Sequence, residues 1–320
     1  MPALDKPLDV LKLYQGSSPC PSNLDEFWDQ SLRKLAEIDP KVTLKPAVFK
    51  VPFAECFDLT FIGDGGAKVY AKYLRPKRTS SPHPAVLQFH GYSGNSGDWN
   101  DKLNYVAAGF SVAALDCRGQ GGRSEDISSV IGNTHKGQII RGLDGGPENL
   151  LFRRHFLDTA QLAKVVMGFD EVDAKRVGAM GGSQGGGLAL ACAALEPKIN
   201  RCAPVYPFLS DYRRVWEMDL AKNAYEELRT YFRQFDPLHE RETEIFETLG
   251  YIDVQNLVKR IKGNVLMGIS LMDDICPPST QFASYNKIIS SKNCVIYPDF
   301  GHEFLPGFQD KVFSFMMEML

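Results

Sequence analysis

The feature that most constrains this chain is the stretch from Arg176 to Leu195. An apolar run leads into Gly181-Gly182-Ser183-Gln184-Gly185, and an Ala/Leu-rich segment follows. That order predicts a strand, a sharp turn and a helix, with the serine hydroxyl presented at the tip of a sheet. The turn is so tight that the positions flanking the serine must be small. The helix beginning behind Ser183 directs its N-terminus at the hydroxyl, where it favours negative charge. The plainer alternative is a glycine-rich strand-to-helix turn with Ser183 as an ordinary cap.

The rest of the chain repeats the same punctuation. Strands at 85–89, 111–115, 176–180, 201–205 and 264–270 alternate with helices near 100–108, 149–167 and 185–195. Such alternation predicts an α/β fold on a mostly parallel, doubly wound sheet. Ahead of it, residues 56–62 and 68–74 straddle Gly63-Asp64-Gly65-Gly66, the signature of an antiparallel hairpin. An N-terminal helical arm over 1–50, carrying Trp28, precedes the hairpin. Residues 210–262 are charged and amphipathic with no strand pattern. They predict a helical insertion within a single domain spanning 1–320, either narrowing access to the serine or simply connecting strands. Its aromatics (Trp216, Tyr225, Tyr231, Phe232, Phe235) could equally form a small core of their own.

A serine is a poor nucleophile at neutral pH. It needs a base, and the base needs a partner that holds its tautomer. With a serine on this kind of turn, the acid and then the histidine follow in chain order. Two histidines lie downstream of Ser183. His239 falls in a charged helical segment and reads as part of a solvated face. His302 sits in a turn after the β-branched run 294–297, where a base belongs. The acid is expected on the loop after strand 264–270. Asp273 comes directly off the strand end and is the better placed; Asp274 reads as a cap or a solvated group. Asp299 is ordinary turn chemistry.

Two donors are then required where charge develops on the substrate oxygen. The backbone N–H of Gln184 follows the nucleophile, and the loop His90-Gly91-Tyr92 after strand 85–89 offers the backbone N–H of Tyr92. His90 reads as shaping that loop. Arg118 and Gln120, in the glycine-rich loop after strand 111–115, read as hydrogen-bonding supports. That loop lacks the Gly-x-x-x-x-Gly-Lys-Ser/Thr pattern of a phosphate cradle.

Four motifs together resemble the acetyl xylan esterase and cephalosporin-C deacetylase group, carbohydrate esterase family 7. They are His90-Gly91-Tyr92, Arg118-Gly119-Gln120-Gly121-Gly122, the turn at 181–185 and His302-Glu303. The helix at 25–35, Tyr206-Pro207-Phe208-Leu209-Ser210 and residues 273–280 extend the likeness along almost the whole chain. The resemblance implies an α/β-hydrolase fold and removal of acetyl groups from acetylated sugars, such as xylo-oligosaccharides, and from cephalosporin C. It also implies a homohexameric ring. Carried over by motif, Ser183, Asp273 and His302 are the catalytic residues, with Tyr92 and Gln184 at the oxyanion hole. Tyr92, Tyr206 and Phe208 are candidate walls of the substrate site. Residues 137–149 depart from the family pattern, which leaves the local loop shape open.

A net charge of −3 and a pI near 6.1 provide no general attraction for nucleic acid or anionic membrane. No run approaches the length of a membrane span, and the opening residues lack the pattern of a secretory signal. The seven cysteines are odd in number and include no Cys-x-x-Cys, which argues against a zinc site and a disulfide framework. Cys117, Cys192, Cys202 and Cys294 fall in apolar runs and read as small core residues. A reducing cytoplasm is the simplest setting, and no metal or cofactor is expected. The other readings of the motifs are a different small-acyl, lipid or thioester hydrolase, and a catalytically silent relative used for binding.

Overall fold

The computed structural model describes residues 4–78, 82–130 and 137–320. The first three residues of the N-terminal arm therefore lie outside the described residues. Among the described residues nine strands form one sheet: β1 (Thr43–Pro46), β2 (Ala54–Ile62), β3 (Lys68–Pro76), β4 (His83–Phe89), β5 (Ser111–Leu115), β6 (Val172–Gly182), β7 (Arg201–Val205), β8 (Asn264–Ser270) and β9 (Lys292–Tyr297). Their spatial order is β1-β2-β3-β5-β4-β6-β7-β8-β9. The first four in that order pair antiparallel, and from β5 to β9 every pairing is parallel. This is the α/β-hydrolase fold expected above, with the β2–β3 hairpin in place. β1 is an addition that no residue pattern announced, and β6 begins four residues earlier than the apolar run suggests.

Burial follows the layering. All of β5 is buried, as a strand covered on both faces must be. β2 alternates between buried and partly exposed positions because one face meets water. The helices are α1 (Leu8–Leu11), α2 (Leu24–Ala36), α3 (Leu103–Ala107), α4 (Leu151–Met167), α5 (Gln184–Leu195), α6 (Tyr212–Glu217), α7 (Glu226–Phe235), α8 (Glu242–Leu249), α9 (Val254–Leu257), α10 (Pro278–Lys287) and α11 (Phe308–Met317). Every residue of α5 is buried, which explains a sequence that is apolar or glycine all round. None of the described helices is long and apolar enough to cross a membrane.

The 210–262 stretch is helical throughout its ordered elements, as its composition predicts. Its aromatics do not form a separate core. Tyr225, Tyr231 and Phe232 belong to the same buried cluster as the sheet residues Leu87 and Ala179, with Trp216 and Phe235 packed against it. His239 sits in a turn between α7 and α8 instead of on a helix face. Its ring packs 4.9 Å from Phe232 and 5.3 Å from Trp216. Of the cysteines expected in the core, Cys294 is only half-buried, while Cys56 and Cys276 join the buried set. The N-terminal arm is held from several directions. Asp5 accepts from Arg214 at 2.7 Å and from the Ser279 N–H at 2.7 Å, and Tyr14 donates to Asp211 at 2.9 Å.

Arg118 is fully buried and grips Asp158 of α4 through two nitrogens, each 2.6 Å from a carboxylate oxygen. Its third nitrogen donates to the Asp64 carbonyl at 3.0 Å. Burial pushes the Asp158 carboxyl pKa upward, and the guanidinium opposes that push. Removing one partner strands the other charge in an apolar interior, which costs about 3–5 kcal/mol. Arg118→Met is therefore expected to lower the urea midpoint sharply, and Arg118→Met with Asp158→Leu to recover most of the loss. A single variant as stable as wild type would mean the pair is solvated in solution.

Candidate active site

Chain order in the sheet reverses at β4, which has β5 on one side and β6 on the other. The loops leaving the carboxyl ends of β4 and β6 therefore diverge and leave a crevice between them. Ser183 stands at the end of β6 with φ 56° and ψ −120°, a conformation few non-glycine residues adopt. Neighbouring backbone holds it there. The Ser183 N–H donates to the Val205 carbonyl at 3.0 Å, and its own carbonyl accepts from Phe208 and Gly187 at 2.9 and 3.1 Å. The flanking glycines are sterically required. A Cβ at Gly185 would stand 2.1 Å from the Phe89 carbonyl oxygen, and one at Gly181 would meet the Gly185 carbonyl at 2.5 Å. This close approach brings the end of β4, and with it the loop 90–92, against the serine turn.

His302 and Asp273 come to Ser183 from two further loops. The loop after β8 is tied to the turn after β9 by backbone bonds from Leu271 to Tyr297 at 3.0 Å and from Met272 to Phe300 at 2.9 Å. His302 Nε2 lies 3.0 Å from Ser183 Oγ, and its Nδ1 lies 2.8 Å from Asp273 Oδ2. A carboxylate oxygen only accepts, so the proton sits on Nδ1 and Nε2 is free to accept from the serine. Asp273 is fully buried and thoroughly bonded. Its Oδ1 accepts from the N–H groups of Ile275 and Cys276 at 2.9 and 2.8 Å, and its Oδ2 also accepts from Ser270 Oγ at 3.4 Å. The structure thus brings together the three side chains expected from chain order. It leaves the rival acids outside: Asp274 pairs with Lys222 at the surface, and Asp299 is exposed in the turn.

Among the described residues, neither the Tyr92 N–H nor the Gln184 N–H has a protein acceptor. Gln184 is the first residue of α5, so its N–H has no partner within the helix. His90 does shape the Tyr92 loop. Its Nε2 accepts from the Cys117 N–H at 3.0 Å, which leaves Nδ1 to donate to the Gly91 carbonyl at 2.7 Å. Arg118 and Gln120 act as supports, as the motif suggests; Gln120 and Gln184 exchange side-chain hydrogen bonds of 2.7 and 3.0 Å.

Of the candidate walls, Tyr206 lies against the site, its ring 4.6 Å from that of His302. Tyr92 is half-buried beside the serine turn. Phe208 is different. It is buried behind Tyr92, ring centroids 5.7 Å apart, so it backs the wall and does not line it. Two residues escaped the sequence reading. Cys276 is buried next to Asp273 and His302, the three offering donor atoms within 4.8 Å of one another. Burial holds its thiol pKa well above the ordinary value. Glu227, on α7, accepts from the Tyr92 hydroxyl at 3.2 Å. Nothing in its charged, amphipathic surroundings distinguishes it from a solvated glutamate.

The sheet and the turn carrying Ser183 define the class of protein: an α/β hydrolase. The chain belongs to the acetyl xylan esterase (AXE1) family of carboxylic ester hydrolases, whose model matches residues 1–319. It superposes on acetyl xylan esterase 1 of a Thermoanaerobacterium species with a TM-score of 0.97 at 60% identity, covering 99% of both chains. An acetyl xylan esterase from a Paenibacillus species gives a TM-score of 0.94 at 34% identity, covering 98% of this chain and 100% of that one. The acetyl esterase Axe7A of Xylanibacter ruminicola is 24% identical over 297 residues, 91% of this chain; the chain spans only 64% of that longer relative.

Proposed function

We propose that this protein is a serine carboxylesterase that removes acetyl groups from acetylated xylo-oligosaccharides and from cephalosporin C. The observation that carries the reading is the Ser183–His302–Asp273 alignment, with contacts of 3.0 and 2.8 Å, in a chain of the acetyl xylan esterase family. In this mechanism His302 takes the Ser183 proton as Oγ attacks the acetyl carbonyl carbon. The N–H groups of Tyr92 and Gln184 hold the oxygen that becomes negative. Protonated His302 then donates to the departing alcohol, leaving an acetyl-serine. A water molecule, deprotonated by His302, attacks that ester, and acetate leaves as Oγ regains its proton. We further read the chain as one domain, working without metal or cofactor in the cytoplasm as a homohexamer; family resemblance supports the oligomer.

Preference for a small acyl group follows from Tyr206. Tyr206, beside His302, also borders a cavity of about 100 Å³ whose lining includes Gly182, Val205, Leu305, Phe308 and Gln309. We read the Tyr206 ring as the wall that keeps an acyl chain out of that space. The test is hydrolysis of p-nitrophenyl acetate, butyrate and octanoate, with acetylated xylose and cephalosporin C alongside. Wild type is expected to favour acetate and to deacetylate both natural-type substrates. Tyr206→Ala is expected to raise the butyrate-to-acetate ratio by about tenfold, the scale of one or two methylenes in an apolar pocket. A wild-type preference for octanoate would keep the serine chemistry and overturn the deacetylase reading.

A further inference from the structure

The two N–H groups assigned to the oxyanion belong to different loops, one after β4 and one after β6. β4 and β6 pair as far as Phe89 and Gly181, and Gln184 Nε2 reaches the His90 carbonyl at 3.4 Å; beyond those contacts the two loops are linked through side chains. A continuous run of hydrogen bonds joins them. The Tyr92 hydroxyl donates to Glu227 Oε1 at 3.2 Å, and the same oxygen accepts the Gln138 N–H at 3.1 Å. Glu227 Oε2 accepts the Ile140 N–H at 2.9 Å. From Gln138 the run continues through its side chain, whose Oε1 accepts from Gln120 Nε2 at 2.7 Å. Gln120 in turn bonds the Gln184 side chain at 2.7 and 3.0 Å. Gln138 Nε2 also donates to the Gly119 carbonyl at 3.1 Å.

We propose that Glu227, Gln138 and Gln120 are positioning residues that set the separation of the Tyr92 and Gln184 N–H donors. The proposal rests on the esterase reading above and adds a role that neither the family motif nor the triad supplies. Glu227 is its anchor. The carboxylate is almost wholly buried, and the packing around it is close: a Cβ on Gly137 would come within 2.2 Å of its Cδ. Burying an acid at this depth is costly unless donors meet it, and three do. Burial raises its pKa to about 7, while the Ile140 and Gln138 N–H groups and the Tyr92 hydroxyl pull the other way. Two parts of the chain whose purpose was open from sequence meet here. The 210–262 insertion supplies Glu227, and the segment that departs from the family pattern supplies Gln138 and Ile140.

Geometry at an oxyanion site is felt steeply, since misplacement by about 1 Å can cost about 10²-fold in rate. Tyr92→Phe removes the hydroxyl but keeps the ring and the backbone N–H. Gln120→Met removes the link to Gln184 and keeps similar bulk. Each is expected to lower kcat for p-nitrophenyl acetate by about tenfold or more with KM within about twofold, the pattern of an interaction made only in the transition state. Because a run broken at either place is already broken, the double variant should lose about as much as one single variant. Glu227→Gln should show the same split; if it fails to fold, the Tyr92 and Gln120 pair still decides. Unchanged kcat in both singles, or losses that multiply in the double, would overturn the shared run. Loss of stability with kcat intact would mark these groups as structural only and likewise overturn it. A wild type silent on every ester removes the esterase reading and this inference with it, whereas an active wild type with indifferent variants removes this inference alone.

Discussion

Ser183→Ala is expected to lower kcat for acetyl esters by about 10⁶-fold, the scale reached when the nucleophile of such a triad is deleted. The variant is unusually clean because the turn does not depend on the hydroxyl. The backbone bonds to Val205, Phe208 and Gly187 use the Ser183 N–H and carbonyl. Alanine is no larger than serine and meets the same conformational demand at φ 56°. The fold and the crevice should persist, with a melting temperature close to wild type, while the oxygen aligned with His302 Nε2 disappears. Residual turnover would come from His302 and the two N–H donors acting on water. Stoichiometric labelling by a fluorophosphonate, present in wild type and absent in the variant, reads the same atom independently of turnover. Retention of more than about one-hundredth of kcat, with label on another residue, would sink the assignment of Ser183 and the mechanism built on it.

Why the centre of this site was legible and its surroundings were not has a physical explanation. The serine turn is a local steric problem, and local problems leave local marks: glycines at 181, 182 and 185, an apolar strand before, a helix after. The proposed base was picked out by elimination, because two histidines follow Ser183 and one lies among charged residues. The acid was harder. Asp273 and Asp274 are adjacent and chemically identical, and direction off the strand end is what separates them. One turns inward to four donors; the other reaches Lys222 at the surface. Glu227 left no mark at all. Its partners are at positions 92, 138 and 140, so its burial is a consequence of tertiary packing that periodicity cannot carry. Phe208 erred in the opposite sense. It sits in the same motif as Tyr206, but Phe208 is buried in the core cluster with Leu87 and Tyr225, while Tyr206 stays half-buried against His302. The edge strand β1 is short and mostly exposed, with none of the alternation that reveals a half-buried strand.

Asp273→Asn is the second large effect expected, a loss of about 10⁴-fold in kcat with little change in the fold. The size of the loss depends on which way the new amide turns, and the structure dictates that. The N–H groups of Ile275 and Cys276 both point at the Oδ1 position, 2.9 and 2.8 Å away. An amide nitrogen there would face two donors with none to accept, so the amide oxygen must take that place. The amide nitrogen is then left 2.8 Å from His302 Nδ1, where Asp273 Oδ2 had been. Now the group beside Nδ1 donates instead of accepting. Nδ1 must become the acceptor, the ring proton moves to Nε2, and Nε2 can no longer take a proton from Ser183 Oγ. The imidazole stays in place with the wrong tautomer, which is why the rate falls far more than the stability. Asp274→Asn is the matched control, since Asp274 only meets Lys222 at the surface. Its kcat should stay within about twofold of wild type, in line with the small worth of exposed ion pairs. Steady-state kinetics of the two variants decides between the adjacent acids. A loss under about tenfold for Asp273→Asn, or a larger loss for Asp274→Asn, would mean that Asp273 does not set the tautomer of His302.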